Sequence, residues 1–266
     1  MNHARSRLIA LVVLLVLAGG CAGAVRVHRA DIREVHRDLT RSVLTTGELS
    51  EHTHNLLHRW GQVDAYRTRP DEVLTFLHER VVAGAEGPDG VFALAELSFH
   101  HGEHGHKGPG ERWQRTSHFL ASAIYAYAFL FPDDVAEVPN RFDPRVRIAA
   151  DLYNRGVTLG LPASGDTKVA IAADRLPLPF GSIELRFDEA SLRWGDRKLV
   201  DFIAAAELEV HGLSERYRRP GLGVPLAAGT APLDPAHEPE DFVDPKTRVP
   251  MTSILRIPEP RKQLGA

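Results

Sequence analysis

The chain has 266 residues, 43% of them hydrophobic and 25% charged, which suits a globular protein of one large or two modest domains. Lysine and arginine number 32 against 35 acids, a net charge of −3, so there is no electrostatic case for nucleic acid as a partner. A single cysteine excludes an internal disulfide and cysteine-built zinc sites, while histidine, at 14 residues, is the one enriched type.

Residues 1–20 read as an export signal. Arg5 and Arg7 form the basic start, and Leu8 to Ala18 is an apolar run of eleven residues, too short for a bilayer that needs about 20. Leu17-Ala18-Gly19-Gly20-Cys21 resembles the lipobox of bacterial lipoproteins, which are cut before a cysteine that carries the lipid. It departs from that pattern at Ala18, where leucine is usual and here stands one place earlier. The expectation is lipidation at Cys21 and anchoring in the cell envelope, against a plain signal peptide or a single membrane helix. Cleavage would remove two arginines and no acid, leaving 30 basic against 35 acidic residues, a net −5. A mildly acidic body argues against a second, electrostatic anchor to anionic lipid. Ala22 stands where an aspartate would signal inner-membrane retention, so the periplasmic face of the outer membrane is expected. Residues 21–30 follow as a tether.

A helical region is predicted over 31–162. Asp31 caps a pattern of Ile32, Val35, Leu39 and Val43 that stops at Gly47. Ser50 caps a second helix with Leu56, Leu57 and Trp60. Pro70, Asp71 and Glu72 start a third, carrying Val73, Leu74, Leu77 and Val81 and ending near Gly84. Asp89 opens a fourth with Phe92, Leu94, Leu97 and Phe99. Phe119 to Phe131 is apolar or aromatic except for Ser122. That all-round pattern requires a helix surrounded by others, which Pro132 ends. Its aromatic residues Phe119, Tyr125, Tyr127, Phe129 and Phe131 read as core packing in preference to a ligand cavity. Asp143-Pro144 caps the sixth helix, with Val146, Ile148, Leu152, Tyr153 and Val157. Consecutive helical pairs suggest a repeat-like bundle. Phe92 to Phe131 is similar to a tetratricopeptide-type pair, without the strict period of about 34 residues.

Beyond Ser164-Gly165-Asp166 the period becomes that of strands, giving a smaller β-rich region over 166–257 and an α+β fold class. Val169 and Ile171 alternate with Lys168 and Ala170, and Ile183, Leu185 and Phe187 alternate with Glu184 and Arg186. Leu192 and Trp194 lead into a turn at Gly195-Asp196. Leu199 to Val210 fits strand or helix. Pro220 to Pro245 is rich in proline and glycine and reads as mostly extended loop. Val249 to Ile257 makes a last strand, and no packing pattern accounts for the tail 258–266.

Chemistry is sparse. Ser164 lacks the flanking glycines and preceding strand of a nucleophile elbow, and no phosphate-binding glycine loop is present. His100-His101-Gly102-Glu103-His104-Gly105-His106 has the residue types of a metal site. The spacing is not that of a zincin helix, and the two glycines are expected to break any helix there. A solvated polar loop is the expectation, with His100, His101, His104 and His106 as weak metal candidates. Arg216, Arg218 and Arg219 suit an anion, or ion pairing with Glu207, Glu209 or Glu215. No cofactor is expected.

Four stretches carry a further resemblance. They are Phe92-Ala-Leu-Ala-Glu-Leu-Ser, Tyr125-Ala-Tyr-Ala-Phe-Leu-Phe-Pro, Asp151-Leu-Tyr-Asn-Arg, and Glu207-Leu-Glu-Val-His-Gly-Leu-Ser-Glu-Arg-Tyr-Arg-Arg-Pro-Gly-Leu-Gly-Val-Pro-Leu. Together, over about residues 30–256, they resemble the N-terminal region of exported bacterial α/β-hydrolase-like proteins, often lipoproteins. In that group a hydrolase domain of esterase or lipase type follows, bearing the catalytic serine, acid and histidine. No catalytic residue of that group maps onto this chain. The resemblance implies a non-catalytic, lipid-anchored module associated with a hydrolase, or the front of a serine hydrolase whose catalytic domain is missing. Metal binding through the histidine loop is a weaker alternative.

Overall fold

The computed structural model describes residues 29–105, 108, 111–161, 168–208, 221–234, 243–244 and 246–265. The chain divides into two units, Met1–Asp38 and Leu39–Ala266. Helix α1 (Ile32–Leu39) falls almost wholly in the first, and the Asp31 carboxylate accepts the Arg33 amide at its start, 2.7 Å away.

The second unit is α+β, with helices first and strands after, as the change of sequence period implies. Among the described residues seven helices lead it: α2 (Val43–Thr46), α3 (Glu51–Arg59), α4 (Val63–Thr68), α5 (Pro70–Val82), α6 (Pro88–His104), α7 (Arg112–Leu130) and α8 (Pro144–Gly160). The single helix expected from Asp31 to Gly47 is therefore two, interrupted at 40–42, and α4 stands between the expected second and third. Ser50 and Asp143 cap α3 and α8 as their sequence positions demand, each accepting an amide of the first turn.

The interruption has a physical cause in Glu96, which sits in the middle of α6 with 0% of its surface exposed. Its Oε1 accepts the amides of Val43, at 3.1 Å, and Ser50, at 2.9 Å. Its Oε2 accepts the hydroxyls of Ser50 and Thr53, both at 2.6 Å. Val43 opens α2 and Ser50 caps α3, so one carboxylate serves two helix N-termini, where orphan amides and the positive dipole end favour an anion. A continuous helix through 40–43 would bond the Val43 amide internally and break this arrangement. Burial pushes the Glu96 carboxyl above its ordinary range, and the four hydrogen bonds oppose that without cancelling it.

Helix α7 is the expected centre. Ser117 to Ala126, Ala128 and Phe129 are buried, with α6 on one side and α8 on the other. Glycine allows the α7–α8 approach: a Cβ on Gly156 would lie 2.6 Å from the Phe119 carbonyl, and one on Gly160 2.8 Å from the Leu120 amide. Four-residue spacing puts both on one face of α8, so the two backbones meet directly. Ser122 gives its hydroxyl proton to the Ala95 carbonyl of α6, 2.6 Å away.

A hairpin of β1 (Asp174–Leu178) and β2 (Gly181–Leu185) packs on α7. The other sheet is antiparallel, in the order β3 (Arg193–Trp194), β4 (Arg197–Ala204), β5 (Val224–Pro232), β6 (Val249–Ser253). Val169 and Ile171 do not form the expected strand; Lys168 makes only an isolated bridge with Ile203. Strand β5 corrects the loop expected over 220–245. Its prolines stand at the second and last positions, Pro225 pointing outward, while Val224, Leu226 and Ala228 face the core between β4 and β6. Tyr153 and Asn154 of α8 fasten this sheet to the helices. Tyr153 donates to the Leu255 carbonyl at 2.7 Å, and Asn154 clamps the Gly221 carbonyl and Gly223 amide at 2.8 and 2.7 Å.

The tail is also ordered into the body. Helix α9 (Pro260–Gln263) directs the amides of Arg261 and Lys262 at the Asp133 carboxylate, and Arg261 pairs with Glu137 at 2.8 Å. Among the described residues, no helix is long and apolar enough to cross a membrane.

Replacing Glu96 with alanine removes an acceptor from four buried donors and leaves a cavity, so urea unfolding should show a loss of about 3–5 kcal/mol. Glu96→Gln keeps the shape and an acceptor for the two amides, and should stay within about 1 kcal/mol of wild type. An alanine variant as stable as the glutamine variant would remove Glu96 from this role.

Candidate functional site

Three polar groupings in the second unit have the chemistry to be functional. The first lies where the start of α5, the end of α6 and the second turn of α7 converge. Pro70 at the first position of α5 and the acids behind it place Asp71 at that helix's positive end. His100, His101 and His104 occupy the last turn and a half of α6. The expected helix break at Gly102 does not occur. Gly102 is buried in the helix, and a Cβ there would lie 3.0 Å from the Phe119 ring of α7. The residue absent a side chain is what lets α7 pack close, and so brings His118 of α7 beside His101.

Of the four histidines read as one group in the sequence, the three described, His100, His101 and His104, are thus separated. His101 and His118 each keep about 5% of their surface exposed, with rings 4.6 Å apart and nearly perpendicular. His101 Nε2 lies 2.9 Å from Asp71 Oδ1, and His118 Nε2 lies 4.0 Å from the same oxygen. The Asp71 side chain remains 72% exposed. His100 turns instead to Tyr66 of α4. The Tyr66 hydroxyl donates to the Leu97 carbonyl at 2.9 Å, so the contact of 3.0 Å to His100 Nδ1 needs the hydrogen on that nitrogen. His104 stacks on His100 and donates Nδ1–H to its carbonyl at 2.9 Å. Burial, then the neighbouring charges of His104 and His101, hold the His100 pKa down to about 4. Asp71, His101 and His118 are the set whose ligand atoms converge, all within 4.8 Å of one another.

The second grouping lies under the β1–β2 hairpin. His78 Nδ1 meets the Tyr125 hydroxyl at 2.8 Å, and its ring stacks on Phe180 at 4.3 Å. Burial holds His78 below the ordinary histidine range and pushes the Tyr125 phenol up. The adjoining cavity, lined by Ile124, Leu178, Ile183 and Leu264, measures about 70 Å³. A small-molecule site takes roughly 300–1,000 Å³, so this space holds little more than water. The aromatic stripe on α7 is core, as expected, up to Phe131, which is half exposed.

The third is a cleft of about 310 Å³ between the start of α6 and the start of α8, with Glu86, Asp89, Glu137, Asp143 and Arg145 on its walls. Arg145 makes a two-pronged contact with Asp143 and a further one with Asp89, its guanidinium lying over Phe129 and Phe92. Burial alone would raise the Asp143 carboxyl, but the hydrogen bonds and charge of Arg145 outweigh it and hold it below its ordinary range. The cleft's cation is thereby neutralised by its own acids.

Asp71 and His118 went unnoticed in the sequence because no local spacing links them to His101. One signal existed: His118 sits four residues before the buried Ser122, directly ahead of the apolar run that begins at Phe119. Cys21, His106, Ser164, Arg216, Arg218 and Arg219 lie outside the described residues. Comparison with protein-family models, with curated proteins and with solved structures finds no match to this chain.

His100 sets an acid limit on stability. The unfolded chain takes up its proton near about pH 6.5 and the folded one only near about 4, so stability should fall as pH drops between those values. His100→Gln removes that uptake from both states. Thermal melts from pH 7 to 4.5 should therefore show a shallower acid decline in the variant, and equal slopes would contradict the burial of a neutral His100.

Proposed function

We propose that this protein is a lipid-anchored, non-catalytic module of the bacterial cell envelope, held by its N-terminal lipid and working with a hydrolase. The observation that carries the reading is the ordered series Arg5, Arg7, the apolar run Leu8 to Ala18, and Gly19-Gly20 directly before the only cysteine. The small residues stand where cleavage needs them, and the following Ala22 favours the periplasmic face of the outer membrane.

The polar interior supports a structural role for the body. Ser50 gives its proton to Glu96, Ser117 to the Gln114 carbonyl and Ser122 to the Ala95 carbonyl, and on the surface Ser191 gives its proton to the Asp188 carbonyl. A nucleophilic serine needs its proton directed at a base, with donors placed for an oxyanion. These hydroxyls are committed to fixing helices and turns.

The four matched stretches from Phe92 to Leu226 favour a second reading, in which this chain is the N-terminal part of a serine hydrolase of esterase or lipase type. The two readings differ in what the purified chain does with an acyl ester.

Cys21→Ser should leave an uncleaved precursor that incorporates no labelled palmitate and leaves the membrane fraction's detergent phase. Normal processing and fractionation of that variant would exclude lipid anchoring. The wild-type chain should take no stoichiometric label from a serine-reactive phosphonate and turn over no short- or medium-chain ester above a heat-treated control. Stoichiometric labelling of any serine would overturn the non-catalytic reading.

A further inference from the structure

We propose that Asp71, His101 and His118 form a binding site for one divalent transition-metal ion of the zinc type. This assignment stands apart from the anchoring role and uses residues that three different helices bring together.

Neutral imidazole nitrogens and a carboxylate oxygen are the donors that zinc accepts in the absence of thiolate. Metal–ligand bonds of about 2.0–2.1 Å in a tetrahedral arrangement place donor atoms roughly 3.3–3.4 Å apart. The observed separations from Asp71 Oδ1, 2.9 Å to His101 Nε2 and 4.0 Å to His118 Nε2, lie on either side of that spacing. All three ligand atoms lie within 4.8 Å of one another.

Burial divides the roles of the three. His101 and His118 sit on adjacent helices whose backbones are locked together at Gly102 and Phe119, so their separation is fixed by packing. Asp71, on the first turn of α5, is the exposed member and the adjustable one. An ion held by these three would keep its remaining coordination on the solvent side, beside Asp71, where water completes the shell. His100 and His104 are not ligands in this arrangement. Their rings stack on each other and His100 turns to Tyr66, while the ligand atoms that converge belong to Asp71, His101 and His118. The site is therefore distinct from a histidine tract that gathers metal through proximity in sequence.

The test titrates the purified full-length chain in detergent, stripped with a chelator, with ZnCl₂ at pH 7, and follows heat release and melting temperature. One equivalent should bind, and Zn²⁺ at about a hundred times its Kd should raise the melting temperature by about 5–10 °C. Asp71→Asn, at an exposed position that should not disturb folding, should weaken binding at least about tenfold. His118→Gln should do the same, while the double variant His100→Gln, His104→Gln should keep wild-type affinity. A wild-type chain with no saturable response to Zn²⁺ would overturn the proposal. So would a response that survives Asp71→Asn and His118→Gln, or one lost only in the His100, His104 double variant.

Discussion

A carboxylate with no water around it and no counterion beside it must be held by hydrogen bonds alone, and Glu96 meets that requirement with four of them. The cost of burying the charge is offset by making it the common terminus of two helices, since the amides it accepts belong to the first turn of α2 and the cap of α3. The direction of both helices over α6 follows from that one group. Burial raises its pKa above the ordinary carboxyl range, and the four hydrogen bonds it accepts oppose that rise. An amide in its place would keep the geometry without the charge.

Around this fixture the body is built by close approach. Gly156 and Gly160 bring α8 onto α7, and Gly102 brings α6 onto the Phe119 ring, so the three longest helices of the unit form one slab. Tyr153 and Asn154 then reach from α8 to the sheet, and Asp133 reaches from the loop after α7 to the amides of α9. Several polar side chains inside this body are ties between elements. At the corner formed by α5, α6 and α7, two buried imidazoles face an exposed carboxylate.

Much of this architecture is written locally. Ser50, Pro70 and Asp143-Pro144 mark helix starts because capping depends only on neighbouring residues, and the apolar run from Phe119 declares a central helix by itself. Three features depended on distant contacts and were hidden for that reason. Gly102 stays helical because a ring from another helix fills the space its missing side chain leaves. Strand β5 survives in a proline-rich stretch because Pro225 and Pro232 occupy positions where no ladder amide is needed inside. The His101–His118–Asp71 corner joins residues 71, 101 and 118, which no spacing rule connects. Within the His100 to His104 stretch, α6 turns successive residues toward different partners, His100 to Tyr66 and His101 to Asp71.

The proposed export and anchoring rest on the sequence of residues 5–21, and the proposed structural role of the body rests on polar groups that hold elements together. The most direct measurement is the mass of the tryptic peptide at the mature N-terminus, taken from protein in its native membrane. The account predicts a peptide from Cys21 to Arg26 carrying a thioether-linked diacylglyceryl group. An unmodified Cys21 inside a longer N-terminal peptide, or a mature chain beginning at any other residue, would contradict it.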